Sequence, residues 1–67
     1  MRLLKFKDRG AFIYIDRGSI VAIQKEPVCK DGKMSLSDTM TRIHIDAPSN
    51  FFVVDESIED VLKKYYD

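Results

Sequence analysis

The tripeptide Asp-Arg-Gly occurs twice, at 8–10 and at 16–18, and cuts the first twenty residues into runs of six or seven. A run of that length makes fewer than about two helical turns but is an ordinary strand. The first run, Arg2 to Asp8, alternates: Leu4 and Phe6 face one side, and Leu3, Lys5 and Lys7 face the other. The second, Ala11 to Asp16, sets Ile13 and Ile15 against Phe12 and Tyr14, so both of its faces are largely apolar. A third, Ser19 to Glu26, places Val21 and Ile23 opposite Ile20 and Ala22, and Pro27 is expected to close it by withdrawing a donor.

Further along, the segment from Pro27 to Asp38 is polar and turn-rich around Asp31-Gly32, which fits either a long loop or an extended hairpin. Thr39 to Asp46 alternates again: Thr41, Ile43 and Ile45 form a core face, while Met40, Arg42, His44 and Asp46 form a wet one. Ala47 to Asn50 reads as a turn into the apolar run Phe51 to Val54, which is expected at the centre of the packing. The period then changes. Ile58, Val61, Leu62 and Tyr65 recur at i, i+3, i+4 and i+7, which predicts a helix over about 58–65. Ser57 and Asp60 approximate a capping box at its start.

Five strand-like runs and one short helix predict a mainly β fold, an antiparallel meander or partly open barrel with a C-terminal helix, in a single domain over 1–67. A chain of 67 residues leaves room for one thin core, since a domain this small buries roughly 60% of its unfolded surface. A two-turn helix cannot cover a sheet that is apolar on both faces, so apolar surface at Phe52, Tyr65 and Tyr66 is expected to meet another chain. Together with Arg42 and His44, these residues form the expected interaction surface of a homodimer or a larger protein assembly.

Charge excludes strong field effects. Eleven Lys and Arg balance eleven Asp and Glu, so nothing draws the chain as a whole to nucleic acid or an anionic membrane. With no long apolar run, no signal-like segment and a lone cysteine, Cys29, the expectation is a cytoplasmic, membrane-free protein. A local basic set, Lys5, Lys7, Arg17 and Arg42, with Phe12 and Tyr14 close in sequence, is the alternative: a strand face for RNA in a small post-transcriptional regulator. Asp8, Asp16 and Glu26 interrupt that set.

The residues that look most like chemistry have structural readings. Asp55, Glu56, Glu59 and Asp60 gather at the start of the predicted helix, where negative charge meets the positive end of the macrodipole. Lys63 and Lys64 follow Glu59 and Asp60 by four. Nothing matches a calcium loop, so no metal or cofactor is expected. His44, the one histidine, has no neighbouring nucleophile or ligand set in the sequence, and a cross-strand partner on a solvated face is expected for it. A fold of this size is not expected to enclose a pocket of roughly 300 Å³ unless two chains share it. No enzyme activity is expected.

Two stretches carry a family resemblance. "AFIYIDRGSIVAIQKEP" and "FFVVDESIEDVLKKY" resemble the small FlbD/SwrD family of flagellar and swarming-motility proteins and its phage-borne relatives. The resemblance covers about half of the chain, which carries a longer "VCKDGKMSLSD" insertion. It implies a compact β protein with a C-terminal helix, no cofactor and a role in assembly or regulation. "RIHIDAP" and "VVDESI" are also similar to the CsrA/RsmA family of RNA-binding swapped dimers. Asp55 and Phe6 stand where that family has its RNA-contacting arginines, so this likeness implies the fold without that contact.

Overall fold

The computed structural model describes residues 2–46 and 50–67. Strand β1 (Leu3–Asp8) pairs with β2 (Ala11–Asp16), a 3₁₀ turn (Arg17–Ser19) follows, and then come β3 (Ile20–Lys30), β4 (Lys33–Ile45), β5 (Phe51–Val54) and helix α1 (Ile58–Tyr66). The fold is mainly β, as expected. Its five strands make two antiparallel sheets, β1-β2 and β3-β4-β5, that do not close into a barrel. The turn expected at 47–49 lies outside the described residues.

The two Asp-Arg-Gly tripeptides have different conformations. In the first, Arg9 and Gly10 both take positive φ (51° and 80°) between the paired Asp8 and Ala11, which makes a two-residue turn of the mirror-image kind that matches strand twist. Asp31 and Gly32 (φ 53° and 76°) make the same turn between Lys30 and Lys33. In the second tripeptide Asp16 instead caps the 3₁₀ turn, accepting from Gly18 N–H at 3.1 Å, while Ser19 Oγ donates to the Asp16 carbonyl. That turn carries the chain from one sheet to the other.

Two features of β3 differ from the sequence expectation. Pro27 does not end β3: a bulge between Lys25 and Pro27 absorbs the missing donor, and pairing resumes at Pro27–Leu36 and runs to Lys30–Lys33. Residues 27–38 are therefore an extended hairpin arm, and the molecule is 42 Å long by 25 and 21 Å across. A second irregularity, between Ile20 and Ala22, breaks the simple alternation, so Ile20 is buried while Val21 and Ala22 are exposed.

The core lies where the sheets and the helix meet. Leu4, Phe6, Ile15, Ile20, Ile43, Val54 and Val61 are buried, with Ile13, Ile23, Ile45 and Tyr65 packed around them. β5 is not central as expected. It is the edge of its sheet, with Val54 fully buried but Phe51 and Phe52 exposed. Helix α1 starts as the sequence indicated: Ser57 accepts from Asp60 N–H at 3.2 Å, and Val61 is the buried centre of its stripe.

Candidate functional site

The four-acid stretch resolves into separate roles. Strand alternation continues past β5, so Glu56 falls on the same inward side as Phe52 and Val54, and it is only 9% exposed. Its carboxylate accepts from Lys7 N–H at 2.9 Å, and Lys64 Nζ lies 2.7 Å from both of its oxygens. Asp55 accepts from Arg9 N–H at 2.8 Å and donates its own N–H to the Lys7 carbonyl at 2.8 Å. Lys64 Nζ also donates to the Lys5 carbonyl at 2.7 Å. Only Glu59 and Asp60 lie in the first helical turn, so the expectation that all four acids serve the helix start is corrected for Asp55 and Glu56.

The outcome is a strand edge that is closed over its second half. Unpaired backbone groups on an outer strand invite another chain to pair with them, but the Lys5 carbonyl, both backbone groups of Lys7 and the N–H of Arg9 in the following turn are taken up by residues 55, 56 and 64. Buried Thr41 completes the lock, donating from Oγ1 to the Glu56 carbonyl at 2.7 Å. Thr41 lies on the core face that the alternation predicts, whereas the burial of Glu56 was missed, although the same period-2 alternation carried past Val54 places it inward. Among the described residues, no three His, Cys, Asp or Glu side chains converge as metal ligands would.

The expected interaction surface of Phe52, Tyr65, Tyr66, Arg42 and His44 is not one surface. Arg42 and His44 share the outer face of the three-stranded sheet, opposite Val53 and Phe51 respectively. There Arg42 Nε donates to Glu26 Oε1 at 2.6 Å and its guanidinium stacks on Phe51 at 4.2 Å, while His44 Nε2 lies 3.1 Å from Gln24 Oε1. The ring of His44 also packs edge-on to Phe51. This face satisfies itself. Phe52, paired with Ile43, lies on the opposite, inward face near its margin. Tyr65 and Tyr66 close the helix, Tyr66 being 76% exposed, and with Leu62 and Ile20 to Ile23 they line a notch of about 240 Å³.

The alternative basic set is likewise divided. The register places Lys5 opposite Tyr14 and Lys7 opposite Phe12, so these four share the outer face of β1-β2 with Leu3, all of them exposed. Lys5 Nζ sits 4.1 Å above the Phe12 ring. Arg17 does not join them, since it stacks on Tyr65 at 4.3 Å and donates from Nε to the Tyr65 carbonyl at 2.6 Å. Arg42 is held by Glu26.

Two features remain that the sequence reading did not single out as sites. One is the hairpin arm, where pairing of Cys29 with Met34 and Pro27 with Leu36 puts these four on one side. Met34 is 70% and Leu36 62% exposed. At the root of the arm Lys25 Nζ donates to Asp38 at 3.0 Å, and this hydrogen bond, aided by the carboxylate's charge, holds the Lys25 amine above the usual lysine range. The other is an open groove of about 690 Å³ between β1 and α1, which the fold does not enclose.

Comparison with family models, with curated proteins and with solved structures returned no match. No helix among the described residues is long and apolar enough to cross a membrane.

Proposed function

We propose that the chain is a non-enzymatic protein-interaction or assembly module of the cytoplasm, working as a homodimer or within a larger assembly of the flagellar or phage kind that its FlbD/SwrD likeness suggests. The observation that carries this reading is the hairpin arm. Its apolar side, with Met34 and Leu36, stands clear of the core, and residues 29–34 and Leu36 are exposed. Apolar side chains held on a projecting two-stranded arm are stabilised when a partner covers them. Cys29, on that same side, offers a chemical handle. A photoreactive group attached there, in an extract of the source cells, is expected to give discrete protein adducts that Leu36→Glu removes. Adducts unchanged by Leu36→Glu and Met34→Glu would contradict the reading.

The second reading, a small RNA-binding regulator, is favoured by one arrangement: Lys5, Lys7, Phe12 and Tyr14 on a single exposed face. Such a face could stack bases and neutralise phosphates. It predicts binding of a single-stranded RNA oligomer that weakens with salt and is lost in Lys5→Glu. Binding that ignores both would sink this alternative.

A further inference from the structure

The groove between β1 and α1 has walls of opposite charge. The β1 wall carries Arg2, Lys5 and Lys7, and none of these side chains has an ion-pair partner among the described residues. The facing wall carries Asp55, Asp60 and Asp67, with Asp38 behind them already engaged by Lys25. Glu56 and Lys64 neutralise one another between the two walls. Leu3 and Phe12, both exposed, lie along the basic wall and add apolar surface.

We propose that this groove is the interface with a second copy of the chain. In a two-fold dimer the same patch meets itself, so a patch of one sign repels its copy, whereas a patch with one basic and one acidic wall is self-complementary. Rotation about the two-fold axis sets the Lys5 and Lys7 wall of each protomer against the Asp55 and Asp60 wall of its partner, making both contacts twice. Leu3 and Phe12 lie between them as the apolar centre. The net charge of zero leaves no long-range repulsion between copies. A polyanion fits the groove less well, because the acidic wall faces it too. This inference rests on the homodimer part of the proposed function and uses a surface that touches the arm only at its root, Asp38 and Thr39, away from Met34 and Leu36.

The test is a charge exchange read by sedimentation equilibrium. Lys7→Glu leaves the Lys7 N–H bond to Glu56 in place, and Asp60→Lys leaves the Ser57 cap in place, because both bonds use backbone N–H groups. Each variant alone is expected to dimerise at least about tenfold more weakly than wild type, with an unchanged circular dichroism spectrum. Mixed together, the two are expected to recover wild-type affinity as a heterodimer, since each reversed wall then meets its reversed complement. Single variants that dimerise like wild type, or a mixture that stays monomeric, would overturn the groove assignment while leaving the arm reading standing. A wild-type chain that is monomeric would overturn the groove assignment as well. The assembly reading falls with it only if Cys29 cross-linking also gives no adducts, or adducts that Leu36→Glu and Met34→Glu leave unchanged.

Discussion

The Glu56 carboxylate accepts a hydrogen bond from the backbone N–H of Lys7, 49 residues earlier in the chain. That bond ties the end of the chain to its first strand. Removing the acceptor in Glu56→Ala leaves a part-buried N–H without its partner and Lys64 without its counterion. The expected cost is about 1–3 kcal/mol, measured by denaturant unfolding. Glu56→Gln retains an acceptor and should cost less. An Ala variant within about 0.5 kcal/mol of wild type would mean that the edge is not held here.

Thr41 provides an independent check on the same lock. Val matches its shape but lacks the hydroxyl that bonds the Glu56 carbonyl at 2.7 Å in a fully buried site. Thr41→Val should lower stability by about 1–2 kcal/mol. In the Glu56→Ala background its effect should shrink, because the two residues fix one segment. Full additivity in a double-mutant cycle would argue that they act separately.

The strand runs, the helix and its cap are legible in the sequence because alternation and the 3.6-residue stripe report local burial. The path of residues 27–38 is legible only as one of two alternatives, loop or extended hairpin, since Pro27 signals a stop that the bulge at Lys25–Pro27 circumvents. The paired Asp-Arg-Gly tripeptides show the same limit. Only the first joins strands of one sheet, whereas the second caps a 3₁₀ turn with Ser19 bonded back to Asp16, a contact that lies outside the tripeptide. Among the candidate site residues, Lys5 and Lys7 do meet Phe12 and Tyr14, but Arg17 and Arg42 are claimed by Tyr65 and Glu26. Such claims are made by residues 16 or 48 positions away and leave no local pattern.

Two glycines at positive φ should differ in their effect on stability. Gly10 and Gly32 both turn in the left-handed region, where an added methyl meets no neighbouring atom but strains the backbone. Ala at either site should cost about 1–2 kcal/mol locally. Gly10→Ala loads a hairpin whose strands hold Leu4, Phe6 and Ile15, so global stability should fall. Gly32→Ala loads the exposed arm, so hydrogen exchange near residues 29–34 should speed up while the global midpoint hardly moves. Equal midpoint losses would contradict this division between core and arm.

The root of the arm should respond to alkaline pH. Lys25 is raised above its usual range chiefly by its hydrogen bond to Asp38, so the stabilisation is fully present below about pH 10.4, the unfolded lysine value. It is lost as pH rises through the higher folded value. Asp38→Asn should return the Lys25 titration, read by nitrogen-detected NMR, to the ordinary range. An unchanged titration in that variant would show that Asp38 is not the cause.

If this chain acts by binding protein, beginning with itself, its own association is the property to measure. Sedimentation equilibrium of the unmodified chain from low to high micromolar concentration tests that most directly. A concentration-dependent monomer–dimer equilibrium is the expected result. A strict monomer across that range would contradict self-association and with it the groove interface.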